Sequence, residues 1–317
     1  MKRVKLQMHV KKRIKSEFNN YSKLTLCNYM QMFKIVKEKS EHSASLLQNI
    51  DNTKAHLLRY CGKDLFLTEI DKKFILGFVE YLAHDARELR HGGIKRLRSS
   101  SSQIYMRLFS GCLKMAYKNN LIARNPWDEI NVDDLRCVTR DYDTREYLTI
   151  EEVKLMANTP IKNNNIKKAF LFGCFTGLRI SDINNLKWSD MKENENGKYL
   201  SIYMQKTKRP IIMKLNKCSL KWMPPKKNAE KVFNLPRHLG AVNPTIKSWA
   251  KKAGITKNIS FHTSRHTFAT LQLSLGTDIY VVSKLLGHRS VITTQIYADI
   301  IDKKRDEAMD IIDKAFK

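Results

Sequence analysis

The chain has 317 residues, room for two ordinary domains, and 42% of them are hydrophobic, enough to build real cores. Its 58 Lys+Arg against 31 Asp+Glu leave a formal net charge of +27, divided almost evenly between residues 1–130 and the rest. Basic excess on both halves points to a polyanion held along the chain rather than to a basic tail. Nucleic acid is the first candidate; a membrane surface is disfavoured because no long basic amphipathic helix with an aromatic face is present.

Six cysteines (Cys27, Cys61, Cys112, Cys137, Cys174 and Cys218) lack any C-x-x-C pair and read as reduced cytosolic thiols, mostly core filler. The apolar stretch AFLFGCF at 169–175 is far too short to cross a bilayer. The N-terminal MKRVKLQMHVKKRIK has no apolar core of a signal peptide. The expected location is the cytoplasm, in association with the nucleoid, with no membrane partner.

In chain order, residues 1–20 form a basic arm, with seven Lys+Arg before the first acid, Glu17. It reads either as a solvated arm or as a contact to the DNA backbone. Residues 21–127 are helical in pattern: YSKLTLCNYMQMFKIVKE and SLLQNIDNTKAHLLRYC carry apolar residues at three- and four-residue spacing. LTEIDKKFILGFVEYLAHDA opens with a capping pattern from Thr68 to Asp71. RHGGIKRLRSSSS then reads as a glycine- and serine-rich loop holding Lys95, Arg96 and Arg98, before a fourth helix that carries Arg107. Taken alone, this stretch suits a helical bundle with a solvated loop or a clamp on DNA, for which Lys95, Arg96, Arg98 and Arg107 are the contact candidates.

Residues 128–146, polar and charged, read as the interdomain linker, and 147–317 as a second domain. YLTIEEVKLMA starts it, with Thr149 and Glu152 spaced as a capping box. Most of this domain reads helical too. The exception is KYLSIYMQKTKRPIIMKLN, two β-rich runs around a polar turn, a hairpin with Lys206, Lys208 and Arg209 at or near its tip; Lys208 and Arg209 are further DNA-contact candidates.

Four islands carry unusual chemistry: Arg179 in FTGLRISDINNLKW, Lys206 on the hairpin, His262 and Arg265 in HTSRHTFAT, and His288 and Tyr297 in LLGHRSVITTQIYADI. His262 and His266, four apart, share a helix face as zinc-binding pairs do. Thr263, however, stands where a zinc protease has glutamate, and Arg265 lies on the same face. A fixed cation disfavours a metal ion and favours a phosphate, so no metal is expected here. His288 and Tyr297 are nine apart; on one continuous helix they would point about 180° away from each other. If the two are to share a site, the chain must break between them, and Gly287 and Ser290 offer the place.

The ordered series Arg179, Lys206, His262-x-x-Arg265, His288, Tyr297, within TGLRISDINNLKW, HTSRHTFAT, LLGH and TTQIYA, strongly resembles the signature of the tyrosine recombinase (phage integrase) family. The likeness covers roughly 147–317. It implies a mainly α protein: an N-terminal helical core-binding (SAM-like) domain, then a mixed, mostly helical catalytic domain with a small β-sheet or hairpin, together closing on duplex DNA in a C shape. It implies strand cleavage and rejoining through a 3′-phosphotyrosine, without metal, ATP or other cofactor.

The chemistry is consistent with that signature. Attack on a phosphodiester gathers negative charge on the nonbridging oxygens, which Arg179 and Arg265 can hold with paired charge-assisted bonds. His262 and His288 can add donors. By resemblance, Lys206 protonates the departing 5′ oxygen. A phenol is a weak nucleophile at neutral pH, and His262 is the expected acceptor of the Tyr297 proton. Asp182 and His266 are expected behind these groups. The family further implies a homotetramer on two specific recombination sites, compatible with an accessory DNA-bending protein, and a last helix at 302–316 that could dock on a neighbour. The rivals are a catalytically silent DNA-binding protein of the same fold and a type IB topoisomerase. The short basic N-terminus leaves integration, excision and inversion open.

Overall fold

A computed structural model describes residues 24–40, 42–90, 93–138, 146–226, 230–236 and 239–297. The basic arm at 1–20 and the last helix expected at 302–316 lie outside the described residues. The chain divides into two compact units, Met1–Asp143 and Thr144–Lys317, each mainly helical.

In the first unit, α1 (Leu26–Lys39) starts at Thr25, whose side chain accepts from Asn28 N, and α2 (Ala44–Cys61) starts at Ser43 and ends at Gly62, φ 70°. Helix α3 (Lys72–His84) is capped by Asp71 Oδ1, which accepts from Phe74 N at 2.7 Å. The capping pattern expected to begin at Thr68 is thus displaced by one turn, because Leu67–Glu69 is a separate 3-10 turn. Helix α4 (Ser99–Lys118) completes the bundle. Tyr29, Phe33, Ile50, Leu57, Phe78, Leu82, Phe109 and Leu113 form one core; each such side chain contributes about 1.5–3 kcal/mol.

The expected basic loop is instead a β-ribbon: β1 (Arg87–Arg90) pairs antiparallel with β2 (Gly93–Arg96), placing Arg87 opposite Arg96. Composition reads this stretch as a loop because a tertiary tether holds the ribbon. Arg87 Nη1 donates to His84 O at 2.8 Å, and Arg96 Nε to Ala83 O at 2.9 Å with Nη2 to the same oxygen. Two guanidiniums thereby satisfy the open carbonyls at the C-terminus of α3.

Part of the expected linker at 128–146 carries regular structure. Two 3-10 turns, Pro126–Glu129 and Asp133–Val138, pack on the first unit. Val138 is buried and its carbonyl accepts from Gln103 Nε2 at 2.9 Å.

The second unit opens on α5 (Ile150–Asn158). Its capping box forms as expected: Glu152 N donates to Thr149 Oγ1 and Thr149 N to Glu152 Oε2. Next come α6 (Asn164–Thr176), α7 (Ile180–Asn185), a three-stranded antiparallel sheet in the order β3 (Met191–Asn194), β4 (Gly197–Tyr203), β5 (Pro210–Lys214), and the short α8 (Lys217–Lys221). The hairpin read from alternation is β4–β5; the polar β3 was not legible. Then follow α9 (Val242–Lys252), α10 (Phe261–Ser274) and α11 (Ile279–Leu285).

Helix α10 runs through the core, with every residue from Thr263 to Thr270 buried. Asn243 of α9 accepts from Phe261 N at its start. Gly173 lets α6 approach α10: a Cβ there would lie 2.7 Å from Ser264 Oγ. That close crossing sets the C-terminus of α6 beside the middle of α10. Among the described residues no helix is long and apolar enough to cross a membrane.

Candidate active site

The site grows from the turn that ends α6. Gly177 takes φ 68°, and a Cβ on it would run into Phe268 and Leu286, so glycine is required on two counts. The turn presents Arg179 at the start of α7 and offers the Gly177 carbonyl to Arg265 Nη1 at 2.8 Å. Arg265 Nη2 donates to Leu286 O at 2.6 Å. One guanidinium thus ties three islands: the turn after α6, α10 and the turn after α11. Two of its five N–H groups are engaged this way, and the residue is only 3% exposed. Arg265, expected as a phosphate grip, is also the tie that shapes the site.

Electrostatics follow from that burial. Desolvation, then the neighbouring Arg179, pull Arg265 down to about 9, opposed by an ionised Tyr297 and by Asp182. The group stays charged at neutral pH. Half-buried Arg179 is lowered mainly by burial, with Asp182 acting in the other direction.

Asp182 on α7 is buried, and its Oδ1 accepts from Gln205 N at 2.8 Å, whereas Oδ2 is a buried acceptor without a protein partner. This bond fixes the residue before Lys206. Lys206 itself is exposed on the β4–β5 turn, which is closed by Met204 N to Arg209 O and Lys208 N to Met204 O, both 2.9 Å. Met204 was invisible as a site residue. It is fully buried, its sulfur lies 4.0 Å from Arg179 Nη1, and a Cβ on Gly287 (φ 62°) would strike it. An apolar strand residue carries no local signal for such a role.

The chain does break between His288 and Tyr297. Ser290 accepts from Ile292 N at the start of a 3-10 turn, Val291–Thr293, and a second turn, Gln295–Tyr297, brings the tyrosine back. His288 Nδ1 meets the buried Thr294 Oγ1 at 2.8 Å. Tyr297, 6% exposed, places Oη 2.6 Å from His266 Nδ1. His266 lies between the Tyr297 ring, at 5.7 Å between centroids, and that of His262, at 4.6 Å. His262 is the exposed member. His266, expected behind the site, therefore sits in direct contact with the tyrosine hydroxyl.

Among the described residues no group of three or more His, Cys, Asp or Glu could hold a metal ion. The expected DNA contacts Lys95, Arg96, Arg98, Arg107, Lys208 and Arg209 are all exposed. Arg96 also donates to the Ala83 carbonyl in the last turn of α3.

The sequence model of the phage integrase family matches residues 146–304, and that of the phage integrase SAM-like domain matches 25–132. The chain belongs to the phage integrase family. Its activity is site-specific DNA recombination. A tyrosine recombinase of Pseudothermotoga lettingae is 25% identical over 301 residues, covering 90% of this chain and 96% of its own. The lambda integrase tetramer bound to a Holliday junction shares the fold at 18% identity and TM-score 0.67, covering 87% of this chain and 81% of that one. The Tn1549 transposon integrase in complex with transposon right end DNA does so at 14% identity and TM-score 0.67, covering 90% and 99%.

Proposed function

We propose that Tyr297 is the nucleophile and that the chain breaks and rejoins one DNA strand at a time, as a homotetramer on two specific sites. The observation that carries this is the convergence of Arg179, Arg265, His266 and Tyr297, from three separate segments of the chain. Tyr297 Oη forms a bond to phosphorus while the bond from phosphorus to the 5′ oxygen breaks. Lys206, on a turn anchored through Asp182, gives that oxygen its proton. Arg179 and the remaining donors of Arg265 hold the nonbridging oxygens. His262 adds a donor at the exposed rim. With Nδ1 engaged by Thr294, Nε2 is the atom His288 would turn to a phosphate oxygen. The phosphotyrosine keeps the energy of the broken bond, so rejoining needs no ATP. Oligomeric assembly draws support from the lambda integrase tetramer, whose fold the chain shares.

The test is covalent trapping. Nicked duplexes tiled from the DNA flanking the gene are incubated with the protein in EDTA and denatured in SDS, with Tyr297→Phe alongside. An adduct with the wild type only is expected. Tight, specific binding on a crossover-spanning duplex without adduct would overturn the reading.

A further inference from the structure

We propose that His266, rather than His262, receives the Tyr297 phenol proton during strand cleavage. This rests on Tyr297 being the nucleophile and adds its base. A general base is chosen first by reach, and His266 Nδ1 stands 2.6 Å from Tyr297 Oη. His266 is buried, with its ring held edge-on between those of His262 and Tyr297. It belongs to α10 in its fully buried stretch, so its position is set by the core. His262, one turn earlier, is exposed and suited to meet the DNA.

The groups around this pair favour the transfer. Among the described residues, His262 and Arg265 come from α10, Tyr297 from the last 3-10 turn, and Arg179 and Asp182 from α7. Arg265 and an ionised Tyr297 attract each other, so the phenolate is stabilised where His266 can take its proton. The transfer uses the tautomer with the ring proton on Nε2, in which the phenol O–H donates to Nδ1 across the 2.6 Å contact. As Oη bonds to phosphorus, the phenol proton passes to Nδ1, the bond to the 5′ oxygen breaks, and that oxygen takes a proton from the separate acid. On rejoining, the 5′ hydroxyl attacks and returns its proton to that separate acid, while the phenolate leaves and takes its own proton back from Nδ1.

The test compares His266→Asn with His262→Asn on a nicked duplex, measuring adduct formation against pH and DNA affinity by gel shift. Asn keeps a polar atom near the place of Nδ1 and cannot take up a proton. His266→Asn is expected to slow adduct formation by about 10²-fold or more with affinity retained, and to weaken the dependence of rate on pH that a general base imposes. A polyfluorinated tyrosine at 297, whose phenol ionises near neutral pH, is expected to bring His266→Asn to within a few-fold of the same protein with His266 intact. A defect merely of packing would not respond. Should His266→Asn fail to bind DNA, His266→Gln takes its place. Wild-type or faster cleavage by the variant, a defect the fluorotyrosine leaves untouched, or fluorotyrosine rescue of His262→Asn instead, would each overturn the proposal. An adduct formed by Tyr297→Phe would overturn the nucleophile itself, so the two failures are separate.

Discussion

The Gly177 carbonyl accepts a 2.8 Å hydrogen bond from Arg265 Nη1, so the turn that presents Arg179 is held by the second arginine of the site. The two cations are parts of one construction. Gly177→Ala therefore acts on both. Left-handed backbone costs a residue with a Cβ about 1–2 kcal/mol, and the new methyl would collide with Phe268 and Leu286. The expected outcome is a lowered thermal transition and a larger loss of adduct formation than of DNA binding. Wild-type cleavage by this variant would show that the turn does not set the arginines.

Asp182 acts on Lys206 through the backbone. Its Oδ1 holds Gln205 N at 2.8 Å, one residue before the lysine. Displacing a catalytic group by about 1 Å can cost roughly 10²-fold. Asp182→Ala is expected to slow cleavage by about that factor on ordinary DNA. On a substrate whose leaving group is a 5′ thiol, which needs no proton, the defect should shrink, as it should for Lys206→Ala. Equal impairment on the thiol substrate would place Asp182 with the arginines instead.

Arg96 and Lys95 are neighbours with different tasks. Both are exposed, but Arg96 donates to the Ala83 carbonyl in the last turn of α3, whereas Lys95 lies on the other face of the ribbon. Arg96→Ala is expected to destabilise the first unit by about 1 kcal/mol, read by thermal unfolding. Lys95→Ala should leave stability unchanged and reduce the slope of log affinity against log salt by about 0.9. The opposite pattern would return Arg96 to the DNA contacts.

Gly287 and Met204 are coupled across the site, since a Cβ on the glycine would meet the methionine sulfur. Gly287→Ala and Met204→Ala should each destabilise the second unit. Together they should cost less than their sum by about 1 kcal/mol, because truncating Met204 removes the collision. Strict additivity in unfolding experiments would show that the two do not press on each other.

Much of this protein was legible without coordinates. The break between His288 and Tyr297 follows from helical geometry once the resemblance puts both in one site, and the capping box at Thr149 and Glu152 and the β4–β5 hairpin follow from local pattern. The ordered arginines, lysine, histidines and tyrosine were legible through their resemblance, as a series, to the tyrosine recombinase signature; none of them stands out alone. Tertiary structure decided what depends on meetings between distant segments. The ribbon at 87–96 exists because two of its arginines find the end of α3, a partner its composition does not announce. Met204 enters the site only because β4 ends beside Arg179 and Gly287. His262 and His266 share one helix face, one turn or about 5.4 Å apart. The height at which the last 3-10 turn docks along α10 selects His266 to meet Tyr297. That height is a property of packing between segments far apart in sequence, so no local pattern encodes it.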